Sequence, residues 1–152
     1  MSSILSSVLT AFVVAAVVCT AANTCTTVYL HRALSHRALT IRPSVAVLFR
    51  AVLWLSTGIK PKEWVAVHRK HHAYTDVDGD PHSPVLLGWK KVQAKNVALY
   101  RATVLEPTTI DRYAKDLPDD RWDKIFFGHN KTGLLSGIAI LMIVFGPWTG
   151  LL

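Results

Sequence analysis

The stretch ILSSVLTAFVVAAVVCTAANTCTTVYL, residues 4–30, decides the fold. It is 27 residues long without a single Lys, Arg, Asp or Glu, and it runs straight into His31-Arg32. As a helix it would extend about 40 Å, against roughly 30 Å for the hydrocarbon core of a bilayer. It is therefore long enough to cross a membrane and carry the residues after Leu30 into water. A secretory signal peptide is the competing reading. It requires a positive leader before a short apolar core, and the first cation here is Arg32.

The rest of the 152-residue chain agrees with a membrane protein. Half of it (51%) is hydrophobic, which excludes a disordered or low-complexity chain. Residues 132–152 again carry no charge, and Gly133 to Leu152 is a second span candidate. All seventeen Lys and Arg and all ten Asp and Glu lie between Arg32 and Lys131, with a net charge of +7. An excess of cations in a polar segment between apolar ends favours the cytoplasmic side. Nucleic acid is excluded as a partner, because the cations form no single stripe and an apolar tail has no place on such a domain. Cys19 and Cys25 share one apolar run and read as small hydrophobes without a redox role. The expected organisation is all-α, one unit in three parts. Residues 1–30 are a transmembrane helix, 31–131 a cytosolic and interfacial portion, and 132–152 a transmembrane segment cut short.

A third apolar run, Ser44 to Thr57, lies between Pro43 and Gly58, a helix start and a helix stop. It contains Arg50 and is short for a span. It is expected to lie in the interface plane, because a crossing would separate the two histidine clusters on either side of it.

Those clusters are His31 with His36, and His68-Arg69-Lys70-His71-His72; only His82 and His129 lie outside them. Lys60-Pro61-Lys62-Glu63 looks like a helix start, and Trp64, Val67, His68 and His71 recur from it at helical spacing. His68, His71 and His72 then share one face, so three imidazoles can converge on a metal. His31 and His36 are about 140° apart on a regular α-helix, unable to share one ion without distortion but able to serve two adjacent ions. Neutral imidazole suits iron, copper or zinc rather than calcium or magnesium. Asp76, Asp78 and Asp80 come soon after and are candidate acceptors for the second ring nitrogens. They do not form an EF-hand loop: the glycine comes too early and the twelfth position is Leu87. His82, in a Pro-His-Ser-Pro turn, is not expected to ligate but could support a ligand from behind, and His129, ahead of the last apolar run, is expected at the membrane interface. Arg32, Arg37, Arg69 and Lys70 are expected to be solvated or against lipid headgroups. Tyr29, Trp54, Trp64 and Trp89 read as core or interfacial belt.

Tyr29-Leu30-His31-Arg32-Ala33-Leu34-Ser35-His36-Arg37 resembles the first histidine box of the membrane-bound fatty acid desaturases of the delta-9 acyl type. Glu63-Trp64 through His68-Arg69-Lys70-His71-His72 resembles the second box, and Asp80-Pro81-His82-Ser83 the stretch that comes after it. The resemblance covers residues 20–150. It implies a helical membrane protein whose long spans lift the histidines to a cytosolic di-iron centre, with His31, His36, His68, His71 and His72 as ligands and no catalytic side chain beyond them. It further implies a fatty acyl substrate (acyl-lipid or acyl-CoA), O2, and an electron donor such as cytochrome b5 or ferredoxin, which together insert a cis double bond. The family's third box has no counterpart here, so these residues form an incomplete desaturase fold that is expected to be inactive alone. Ala66 and Val67 stand where animal acyl-CoA enzymes usually carry Arg-Asp, which weakens the expectation of an acyl-CoA headgroup. Two other readings are a related di-iron lipid or sterol hydroxylase, and a non-enzymatic membrane protein whose basic loop binds metal or anionic lipid.

Overall fold

The computed structural model describes residues 2–151, and among them it is helical with no strand. Helix α1 spans Ser2–Cys25, and the chain continues from it without a break as a π-helix over Thr26–Ser35. Twenty-four residues of α-helix rise about 36 Å, enough by themselves for a bilayer core. The π-helical turns that carry His31 follow this length of helix. The large side chains of α1 face outward: Ile4, Leu5 and Phe12 are each at least 70% exposed. Such a surface suits lipid and is costly in water.

Helix α2 (Pro43–Ser56) begins with Pro at its first turn and ends before Gly58, whose φ of +64° a side chain would strain. It packs against α1 on one side and α7 (Asn130–Phe145) on the other. The joint with α7 depends on small residues. A Cβ on Gly133 would meet the Trp54 carbonyl at 2.4 Å, and one on Gly137 the Leu55 carbonyl at 2.2 Å. The spacing Gly133-x-x-x-Gly137 lets the two backbones touch, a common device in membranes. At Gly146 (φ +87°) and Pro147 the chain turns, and the short α8 (Pro147–Leu151) folds back beside α7. The second apolar run is thus one helix and a reversal.

Helix α3 (Pro61–Tyr74) starts where Pro61 and Glu63 signal a start. Short α4 (Pro84–Leu87) is capped by Ser83, whose hydroxyl accepts from the Leu86 N–H at 3.1 Å. Helix α5 (Trp89–Val104), kinked at Lys95, and α6 (Thr109–Tyr113) pack on α3. A second π-helical turn, Asp123–Phe127, precedes α7.

The core sits where the π-helix meets α2. Leu30 and Leu53 are fully buried with Cys25 and Tyr29, and Leu34, Phe49, Val52 and Trp64 pack around them. Each of the two leucines contributes about 1.5–3 kcal/mol by leaving water. The Tyr29 and Phe49 rings stack at 5.8 Å. Arg50 on α2 is buried, yet it is not orphaned. Its guanidinium donates to Asp120 at 2.7 and 2.9 Å and to Asp123, and it lies over the Phe127 ring. A buried cation is tolerated only with such partners. Trp54 donates from Nε1 to the His129 carbonyl at 3.0 Å. The exposed His129 therefore takes part through its backbone.

Candidate metal centre

The first pair departs from the regular-helix expectation. His31 and His36 would diverge on an α-helix, but the chain over Thr26–Ser35 is π-helical, and the His36 N–H donates to the His31 carbonyl at 3.0 Å. An i→i+5 bond widens the turn, so residues five apart come onto one face. The two rings lie 4.5 Å apart between centroids. The distortion that ligand sharing needs is thus built into the backbone.

From α3, His68 and His72 meet this pair. His68 Nε2 is 3.4 Å from His36 Nε2 and 3.1 Å from His72 Nε2. The ring centroids of His31 and His68 are 4.8 Å apart, as are those of His36 and His72. One ligand nitrogen from each of His31, His36, His68 and His72 lies within 4.8 Å of all the others. Trp64, one turn earlier on α3, stacks on His68 at 4.7 Å and backs the ring.

Burial, followed by the neighbouring His72, His31, His36 and His71, pushes the pKa of His68 down to about 3. Burial and the same kind of neighbours lower His72 as well. His68 and His72 are therefore neutral at physiological pH. Three Nε2 atoms facing one another cannot all be satisfied by ring protons, since a proton between His68 and His72 leaves the contact to His36 unserved. A cation would satisfy every lone pair. Four converging imidazoles suit a transition metal such as iron.

His71 does not join these four. Its Nδ1 lies 2.9 Å from Asp80 Oδ1, and its ring stacks on His82 at 4.6 Å. His71, Asp80 and His82 form a second group with ligand atoms within 4.8 Å of one another, next to the first: the His71 and His72 rings are 5.6 Å apart. Asp80 was legible as an acceptor, and His82 lies behind a box histidine, against the His71 ring. Burial raises the Asp80 carboxyl, but the hydrogen bonds from His71 and from the His82 and Asp76 N–H groups outweigh it and hold it below its ordinary value.

Of the basic residues beside the boxes, Arg32 and Arg37 are exposed, but Arg69 and Lys70 are placed differently from expectation. Arg69 is not at a headgroup surface. It donates to the carbonyls of Leu34, Ser35 and Tyr113 at 2.7, 3.2 and 2.8 Å, and to Asp116 at 2.6 and 3.2 Å. Asp116 also accepts from Arg37 at 2.7 Å, and these guanidinium bonds, Arg69's first, hold its carboxyl far below the usual range. Lys70 is paired with Glu106. The unpaired carbonyls at the end of the π-helix attract Arg69 there. One acid thus ties the residue after His36 to the residue after His68. Nothing in the spacing of the sequence singles out Asp116.

Fold and site together define a membrane-associated helical protein with a histidine-lined centre that could hold metal at the end of its apolar helix. Comparison with known proteins agrees. A family described as "Fatty acid desaturase" matches residues 7–152, and the chain belongs to that family. Over 67 residues it is 39% identical to the delta-9 desaturase-like 2 protein of Arabidopsis thaliana, covering 44% of this chain and 22% of that one. It is 25% identical to the sn-1 stearoyl-lipid 9-desaturase of a Synechocystis strain over 80% of this chain and 37% of the relative. It is 39% identical to the acyl-CoA C20 Delta5-desaturase of Anemone leveillei, over 42% and 20% respectively. The matches thus cover 20–37% of the length of these curated relatives. No solved structure matches the chain.

Proposed function

We propose that this chain is the part of a fatty acyl desaturase that carries five ligands of a di-iron centre: His31, His36, His68, His71 and His72. The observation that supports this reading is the convergence of four imidazoles from two helices, with the fifth beside them, at the end of a helix long enough to span lipid. Bound iron would supply the O2-dependent oxidation that removes two hydrogens from an unactivated methylene pair, a reaction beyond acid–base side chains.

The chain's own residues do the rest. His31, His36, His68 and His72 present their ring nitrogens to one another, and Trp64 stacks on His68 and backs its ring. Arg69 and Asp116 hold the π-helix against α3 and so fix the spacing of the two boxes. Helices α1 and α2 keep this assembly at the membrane surface, where a substrate with an apolar tail and a wet head presents its chain. The partners are a fatty acyl substrate, carried as acyl-lipid or acyl-CoA, with O2 and an electron donor of the cytochrome b5 or ferredoxin kind. The histidines face the cytoplasm. Ala66 and Val67 are buried, so that turn of α3 offers no charge to an acyl-carrier headgroup. Five imidazoles do not fill the coordination of two irons, and these 152 residues by themselves are expected to yield no unsaturated product.

The test is titration of the detergent-purified chain with Fe2+ and, as a coloured reporter, Co2+. Uptake that His68→Ala and His36→Ala each abolish supports the reading; uptake indifferent to both defeats it. Product from cells expressing the chain with a complementing partner then separates the chemistries. A mass loss of two hydrogens marks desaturation, and a gain of oxygen marks a hydroxylase.

A further inference from the structure

Asp80 is a buried carboxylate with a partner on each oxygen. Its side chain is fully buried, one oxygen lies 2.9 Å from His71 Nδ1 and accepts the His82 N–H at 3.0 Å, and the other accepts the Asp76 N–H at 2.9 Å. The loop is shaped for this. Asp76 sits at φ +60°, Gly79 at φ +99° against the Tyr74 ring, and the buried Ser83 donates to Asp76 at 2.7 Å. A backbone held in the left-handed region at a non-glycine residue costs free energy and persists only where its surroundings impose it.

From this geometry we infer that Asp80 is a positioning residue that fixes His71 as its Nδ1–H tautomer and leaves Nε2 as the only nitrogen free to ligate. An ionised carboxylate can only accept, so the shared proton must reside on the ring. The His82 and Asp76 N–H groups both point at Asp80, one at each oxygen, and each requires an accepting oxygen there. His71 then offers the same atom that His36, His68 and His72 direct at one another. A ring with its proton on Nε2 could not ligate through that atom. The inference deepens the proposed function and rests on it for the ligand role of His71, but the tautomer can be read without metal.

The experiment uses the full chain in detergent at neutral pH, metal-free and nitrogen-labelled at histidine, with His71 assigned by the resonance lost in His71→Gln. The native ring should show a protonated Nδ1 and a bare Nε2. In Asp80→Ala it should relax to the mixture of an unconstrained imidazole, while Asp80→Asn, whose amide oxygen still accepts, should retain Nδ1–H. In parallel, Asp80→Ala should weaken Co2+ binding about 10–100-fold, with less loss for Asp80→Asn. A bare Nδ1 in the native chain overturns the inference, and this also decides the matter if Asp80→Ala does not fold. An unmoved ring in a folded Asp80→Ala overturns it too. A native chain that takes up no Co2+ defeats the ligand reading instead and leaves the tautomer assignment standing.

Discussion

His68 shows how much one ring's surroundings decide. The ordinary imidazole value is 6.5, and burial among other rings pushes it to about 3 in the folded chain. Between those values the unfolded chain binds the proton and the folded one does not, so acid favours unfolding. Stability should be fully present above pH 6.5 and fall as the pH drops toward 3. The thermal midpoint of the metal-free chain in detergent, followed by circular dichroism, should decline across that window. His68→Gln should flatten the decline, and a native profile level from about pH 7 to about pH 4 would contradict the assignment. Asp116 and Asp120 act in the same direction but in a lower window, because their ordinary value is 3.8 and Arg69 and Arg50 hold them further down. The histidines themselves were legible from their spacing. Their sorting into a group of four and a group around Asp80 was not, since spacing on an α-helix says nothing about which ring a distant loop will engage.

At the scale of elements, the joints between helices rest on a few contacts. Arg69 serves three carbonyls and a carboxylate from one fork, a geometry lysine cannot reproduce. Hydrogen bonds to charged groups are worth roughly 1.5–3 kcal/mol each when partly buried. Arg69→Ala should therefore cost about 2–3 kcal/mol in chemical unfolding, and Arg69→Lys should recover only part of it. At the other joint two effects compete. Ala is favoured over Gly inside a helix by about 1 kcal/mol. At Gly137, however, the added carbon would meet a backbone carbonyl at 2.2 Å, and overpacking costs about 1–3 kcal/mol. Backbone cannot swing aside as a side chain can, so Gly137→Ala should destabilise on balance; a more stable variant would show that α2 and α7 do not touch there. Proline and glycine signals placed α2 and α3 in the sequence, with Pro43 and Pro61 at their starts and Gly58 between them. The π-helix left no such signal. It is set by the packing of Tyr29 and Leu30 on α2 and by Arg69 on its terminal carbonyls, contacts that only the folded chain contains.

For the whole molecule, the contact between His36 and His68 constrains topology more than any hydropathy pattern. Both boxes must lie on one side of the bilayer, so α2 between them cannot cross. Its fourteen residues, about 21 Å of helix, are in any case too short for roughly 30 Å of hydrocarbon. The apolar length of α1 and the charge band that starts at Arg32 place that side at the C-terminal end of α1, and the excess of Lys and Arg there favours the cytoplasm. Single cysteines can check this in a background with Cys19 and Cys25 replaced by Ala. Ala38→Cys lies just past the first box and Ala73→Cys just past the second, and both positions are exposed. A membrane-impermeant maleimide should miss both in intact cells and label both after permeabilisation. A cysteine at Phe12, in the outward face of α1, should resist the reagent in either state. Labelling of both box positions in intact cells would reverse the orientation and keep the centre. Labelling of one alone would place the boxes on opposite sides of the bilayer, and no metal centre shared between them could then exist.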